Sequence, residues 1–205
     1  MARNVADAVA SWGIRDPAVL GALRAVARDK FVPVDQVAAA YDNRPLPIGH
    51  GQTISQPYIV GLMTSALDLR PRDRVLEVGT GSGYQAAVLA ELVDHVFTIE
   101  IILELATRAA ATLAVLGYEN VTVRHGDGYV GWREKAPFDG IVVTAAPDHV
   151  PRRLCEQLVD GGRLVIPVGA SGCYQELQLI ERCGDDFKVT SLGGVQFVPL
   201  TRKRR

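Results

Sequence analysis

The sequence predicts an α/β fold in which a mainly parallel, doubly wound sheet carries an N-terminal helical layer and finishes in antiparallel strands. Three observations lead there. Between Val75 and Val168, short apolar runs alternate with helical patterns, as repeated βα units do. One of these units, Val75-Leu76-Glu77-Val78-Gly79-Thr80-Gly81-Ser82-Gly83-Tyr84-Gln85, breaks from a buried strand into alternating glycines, then resumes as a helix through Ala86, Ala87, Leu89, Ala90 and Leu92. Beyond Val168 the helical patterns stop and strand-like runs follow one another.

Val5, Ala8, Val9 and Trp12 recur at helical spacing, and Asp16-Pro17 offers an N-cap with proline at the first position of a second helix through Leu20, Leu23 and Val26. From Phe31 to Pro57 periodicity is lost among Pro33, Pro45, Pro47, Gly49, Gly51 and Pro57, which reads as a lid or binding loop. A helix from Tyr58 to Leu67 leads into the glycine unit. His95 to Glu100 is a second strand ending in an acid, and a helix from Leu103 to Leu116 shows Leu105, Ala109, Leu113 and Leu116 on its buried face before a Gly117 C-cap. Val121, Val123 and His125 make a third strand that opens into Gly126-Asp127-Gly128, and Phe138 to Thr144 a fourth, followed by the small residues Ala145 and Ala146. A helix from Pro151 to Leu158 ends at Asp160-Gly161-Gly162, and Arg163 to Val168 is the fifth strand. Glu176 to Arg182, Phe187 to Leu192 and Val195 to Leu200 then read as antiparallel edge strands.

With 205 residues, 48% of them hydrophobic and 22% charged, the chain suffices for one domain with a sizeable core. Its expected regions are N-terminal helices and lid (1–57), a cofactor-binding core (58–170), and antiparallel strands with a basic tail (171–205). The net charge of −1 provides no general attraction to nucleic acid or anionic membranes, and Arg202-Lys203-Arg204-Arg205 reads as a solvated tail. No apolar stretch approaches the ~18 residues of a membrane span, and the N-terminus lacks the basic and apolar regions of a secretory leader. A cytoplasmic protein without nucleic-acid or membrane partners is expected. Cys155, Cys173 and Cys183 are odd in number and lack metal-ligand spacing, as do the four histidines, so neither a disulfide framework nor a metal site is expected.

Glycine residues let the backbone turn sharply and let a ligand approach closely. Gly81-Ser82-Gly83-Tyr84-Gln85-Ala86 fits a dinucleotide fingerprint as well as the run from Gly79 fits an adenosylmethionine loop. Other residues must discriminate. Glu100, at the end of the second strand, suits ribose hydroxyls, which a carboxylate can bind in a bidentate way. Asp127, between glycines at the carboxyl edge of the sheet, suits an adenine amino group, and Gly128 leaves room for the ring. A dinucleotide protein would be expected to repeat its βαβαβ unit; the antiparallel tail favours adenosylmethionine.

Arg28-Asp29-Lys30-Phe31-Val32-Pro33, Gly51-Gln52-Thr53-Ile54-Ser55-Gln56-Pro57, the glycine loop, Gly126-Asp127-Gly128, Phe138-Asp139 and the terminal Phe197-Val198-Pro199-Leu200-Thr201 together resemble the protein-L-isoaspartate O-methyltransferase family. The resemblance covers essentially the whole chain. It departs at His50, where the family usually has an aromatic or other large residue, and at Gln196, where many bacterial members have arginine. The resemblance implies a Rossmann-like class I methyltransferase fold, S-adenosyl-L-methionine as cofactor with S-adenosyl-L-homocysteine as product, and no metal. It implies that Gln52, Thr53, Ile54, Glu77, Gly79, Thr80, Gly81, Ser82, Gly83, Glu100, Ile101, Asp127, Gly128 and Thr201 hold the cofactor, that Thr53 and Ser55 bind substrate, and that Ser55 is catalytic. The implied substrates are L-isoaspartyl residues of damaged proteins and peptides, acted on by a monomer. Two alternatives stay open: methylation of a normal aspartate in a dedicated peptide, and a non-catalytic adenosylmethionine-binding module.

The chemistry explains why no His/Asp or Ser/His pair is needed. A sulfonium methyl is already electrophilic, and a carboxylate of ordinary pKa, about 3.9, is already ionised near neutrality. The protein has to align the two and exclude water. Neutral hydroxyls such as those of Thr53 and Ser55 can orient a carboxylate without competing charge.

Overall fold

The computed structural model describes residues 4–170 and 172–202. Helices α1 (Ala6–Ser11) and α2 (Pro17–Ala25) form the N-terminal layer. Asp16 caps α2 as expected, its side chain accepting from the Ala18 and Val19 N–H groups. Of the first pattern only Val5 and Val9 are buried, with Ala6 beside them; Ala8 is exposed, and Trp12 lies outside against Tyr58.

The segment read as irregular has more structure than expected. It holds 3-10 turns at Arg28–Phe31 and Val34–Ala39, then a two-stranded antiparallel hairpin of β1 (Leu46–Gly49) and β2 (Gln52–Ile54). Leu46, Ile48 and Ile54 point inward. The turn between the strands places Gly49, His50 and Gly51 all at positive φ (89°, 54° and 69°), which two glycines tolerate and His50 must adopt between them.

Helix α3 (Pro57–Leu67) leads to β3 (Arg74–Val78), α4 (Tyr84–Ala90), β4 (His95–Glu100), α5 (Leu103–Val115), β5 (Val121–His125), β6 (Phe138–Val143), α6 (Arg152–Cys155), β7 (Leu158–Val168), β8 (Gln175–Cys183) and β9 (Asp186–Val195). The sheet order is β5-β4-β3-β6-β7-β8-β9, parallel through β7 and antiparallel at the last two pairings. Strand order reverses between β3 and β6, opening a crevice at their carboxyl ends.

Alternate strand residues feed two cores. Val75, Val96, Val142 and Val165 face α1 to α5, whereas Leu76, Phe97, Ile141 and Leu164 face Trp132, Leu154 and Leu158. The second face is covered by one-turn α6 and 3-10 turns rather than by full helices. The expected Pro151–Leu158 helix stops at Cys155 because Leu158 already pairs with Phe138 as the first residue of a longer β7. On α5, Leu105, Ala106, Ala109 and Leu113 are buried, but Leu116 lies beyond the helix and is 38% exposed.

The third C-terminal strand is absent. Residues 175–195 form one hairpin, and Val195 to Leu200, expected as a strand, instead crosses the carboxyl edge of the sheet, with a single parallel bridge between Ala146 and Pro199. Buried Gln175 holds it there: its Nε2 donates to Phe197 O at 3.1 Å, and its Oε1 accepts from Phe197 N at 2.6 Å. Of the basic tail, 203–205 lie outside the described residues, while Arg202 sits 4.0 Å over the Tyr129 ring. Among the described residues no helix is long and apolar enough to cross a membrane.

Candidate functional site

The site lies where the glycine loop, the lid hairpin and the 196–201 segment meet. Gly79, Gly81 and Gly83 carry positive φ of 99°, 54° and 90°. A Cβ on Gly79 would run into the Thr144 hydroxyl, which donates to Gly79 O at 2.6 Å. Gly83 serves packing: a Cβ there would press on Leu113 and Ala109 of α5 at 3.3–3.5 Å. Gly128 likewise differs from expectation, since its missing Cβ makes room for Val78 rather than for a ligand ring, although its backbone does line the crevice.

Two acids frame the loop. Glu100 accepts from Gly81 N at 2.8 Å and Ile102 N at 3.0 Å, so its carboxylate pins the loop to the end of β4 while bordering the pocket. Glu77 is fully buried; Thr98 donates to its Oε2 at 2.6 Å, and Thr80 in turn lies 2.6 Å from the Thr98 hydroxyl. The other oxygen, Oε1, is buried without a partner. Burial first, then the nearby Glu100 charge, push the Glu77 carboxyl up to about 8, against the pull of the Thr98 hydrogen bond.

One pocket runs over Gln52, Thr53, Gly79, Gly81, Glu100, Ile101, Gly128 and Thr201; a second, deeper one is lined by Thr53, Ile54, Ser55, Glu77, Gly79, Thr80, Gly81 and Ser82. Gly83 and Asp127 line neither. Asp127 Oδ1 accepts from Tyr129 N at 2.9 Å, which forms the turn, and Tyr129 reaches on to Leu200 O. Among the described residues no lysine, arginine or histidine lines either pocket. This bears on the two cofactor readings: a pyrophosphate would meet the Glu100 carboxylate and no cation among the described residues, whereas an adenosyl sulfonium with an ammonium group brings a positive charge that Glu100 answers and that favours the ionised form of Glu77. The orphaned Glu77 Oε1 fits that cationic ligand.

The third opening is a cleft of about 520 Å³ that includes Ser55, Gln56, Ile59, Tyr174, Gln196 and Phe197 in its lining and, among the described residues, carries no charged side chain. Ser55 borders both this cleft and the deep pocket, and Thr53 and Thr144 border all three. The N-cap of α3 is Gln56, without a side-chain cap bond, and Asn43 Oδ1 accepts from Tyr58 N instead. Ser55 is thus not spent on capping. Sequence reasoning missed Thr144 and Tyr174. Thr144 could have been suspected as the first polar residue after an apolar strand; Tyr174 gave no signal.

A glycine loop after β3, acids at Glu77 and Glu100, and a reversing sheet with antiparallel closing strands define a Rossmann-like methyltransferase domain. The family model described as protein-L-isoaspartate(D-aspartate) O-methyltransferase matches residues 3–205. The chain belongs to that family. A Shewanella sediminis relative named protein-L-isoaspartate O-methyltransferase 2 is 55% identical over 197 residues, covering 96% of this chain and 81% of its own. A solved protein-L-isoaspartate O-methyltransferase superposes with TM-score 0.88 at 27% identity over 95% of this chain, which spans 64% of that longer one. A Plasmodium falciparum structure of the same description, in complex with S-adenosyl-L-homocysteine, gives TM-score 0.84 at 25% identity over 98% of this chain and 100% of its own.

Proposed function

We propose that this chain transfers a methyl group from S-adenosyl-L-methionine to the free α-carboxylate of L-isoaspartyl residues in damaged proteins and peptides. The observation that carries the reading is the position of Ser55, which lines both the deep pocket that holds Glu77 and the cleft that carries no charge among its described residues. S-adenosyl-L-methionine supplies the electrophilic methyl group. Glu77 and Glu100 favour its cationic end and ribose, the 79–83 loop receives its methionine portion, and Asp127, Gly128 and Thr201 lie toward its adenine. Ser55 and Thr53 donate hydrogen bonds to the acceptor carboxylate and orient it, and the hairpin keeps water out. The carboxylate arrives ionised, so no side chain has to remove a proton. The following backbone nitrogen then attacks the ester carbonyl without the enzyme and expels methanol to close a succinimide, which water reopens in part to normal aspartate.

The whole chain acts as one cytoplasmic, monomeric methyltransferase unit in this reading. Incubation with methyl-labelled cofactor and paired isoaspartyl and aspartyl peptides tests it. Label on the isoaspartyl peptide alone is expected; label on the aspartyl peptide alone would reassign the substrate, and label on neither, with cofactor bound, would leave only a binding module.

A further inference from the structure

Tyr174 is 74% exposed, yet it is held from several directions. Its neighbour Gln175 is fully buried and bonded to Phe197 through both atoms of its amide. Upstream, Cys173 N donates to Ala170 O at 3.1 Å and Gly169 N to Pro147 O at 2.9 Å. The ring itself lies across Gly194 of β9, where an added Cβ would come within 2.9 Å of the ring edge. An aromatic ring seated on a glycine, open to water and bordering the same cleft as Ser55, leaves an apolar face uncovered where a substrate chain must pass. Ile59, Val195 and Phe197 extend that apolar lining, and Gln56 and Gln196 are neutral.

We propose that Tyr174 is a specificity-determining residue that receives the side chain flanking the acceptor residue, favouring aromatic and aliphatic neighbours over glycine and discriminating little between positive and negative ones. The proposal rests on the reading of Ser55 as the group that holds the acceptor carboxylate. A cleft with no charged group among its described lining residues has little means of attracting or rejecting a flanking charge, whereas an exposed ring gains contact area from an apolar one.

The test is steady-state kinetics of the full chain on isoaspartyl peptides in which the residue before, then the residue after, the isoaspartyl is Gly, Leu, Phe, Lys or Glu. On one side at least, Phe and Leu peptides should exceed the Gly peptide in kcat/KM by about 3- to 10-fold through KM, the scale of one aromatic contact. Lys and Glu peptides should agree within about 2-fold, at low and high salt alike. Tyr174→Ala should bring the Phe-to-Gly ratio close to one, Gly194→Ala should do the same by displacing the ring, and Tyr174→Phe should keep the ratio. Cofactor affinity serves as the folding control, and if Gly194→Ala does not fold, Tyr174→Ala decides. A wild-type enzyme indifferent to flanks, or a Tyr174→Ala variant that keeps the wild-type ratio, would overturn the proposal. Failure of the wild type to methylate any isoaspartyl peptide would instead remove the proposed substrate.

Discussion

Glu77 combines a fully buried carboxyl with one oxygen that has no partner, an arrangement that is costly unless a proton or a cation answers it. Its pKa, raised to about 8 chiefly by burial, settles the sign of its effect on stability. Below the unfolded-state value, roughly 4.3, the group is protonated in both states and folding is not penalised. As pH rises from there toward 8, the unfolded chain releases this proton while the folded chain keeps it, so stability falls. Glu77→Gln removes the titration. In urea unfolding without cofactor, the variant should gain on the wild type by on the order of 3 kcal/mol between pH 5 and 8, each pKa unit being worth about 1.4 kcal/mol; parallel pH dependences would show that Glu77 is ionised in the folded chain. Ser55 is the opposite kind of residue, half-buried between two pockets rather than in the core. Ser55→Ala should lower kcat by about 10- to 100-fold, the scale of one hydrogen bond to a charged group, with cofactor Kd, measured by calorimetry, within a few fold. Unchanged turnover would remove Ser55 from the catalytic role.

At the scale of elements, the lid hairpin and the 196–201 segment decide whether the crevice is a site. Both escaped the sequence reading, for different reasons. Strands of four and three residues are too short to show alternation, and Pro47 inside β1 reads as a strand breaker, although β1 pairs only with β2. What holds the hairpin is distant in sequence: Arg108 of α5 donates to Ile48 O at 2.6 Å. Residues 195–200 are largely apolar and extend beside the sheet, but their partners are the Gln175 side chain and the single residue Ala146 rather than another strand. By contrast β3, β4, β5 and α2 were legible because burial on one or both faces, or an Asp-Pro cap, writes itself into local pattern. Gln175→Leu keeps the volume and leaves Phe197 N and O unpaired. A loss of about 1–3 kcal/mol in denaturant unfolding is expected, together with a raised peptide KM as the cleft wall loosens; if KM is unchanged, the segment does not depend on Gln175 for its position.

The whole molecule gathers its site from pieces far apart in the chain: residues 52–55, 77–82, 100–102, 128, 144–145 and 198–201 all border the same crevice. None of these pieces forms a pocket alone, so the unfolded chain has nothing comparable to bind with, and a ligand of the crevice stabilises only the folded state. At one hundred times its Kd, a cofactor should then add about 2.7 kcal/mol. For a chain of 205 residues, with roughly 2–4 °C per kcal/mol, that corresponds to a rise in Tm of about 5–11 °C. S-adenosyl-L-homocysteine, which cannot react, is the clean probe in a thermal melt. Because Ser55 is read as serving the acceptor and Glu77 the cofactor, Ser55→Ala should keep the rise and Glu77→Gln should lose most of it. Adenosine diphosphate, whose charge the Glu100 carboxylate opposes and which offers no positive group to the buried Glu77, should give little shift at the same concentration. A larger shift from the diphosphate than from S-adenosyl-L-homocysteine would mean that Glu77 and Glu100 do not set the polarity of the crevice, and the charge argument that separates the two cofactor classes would fall.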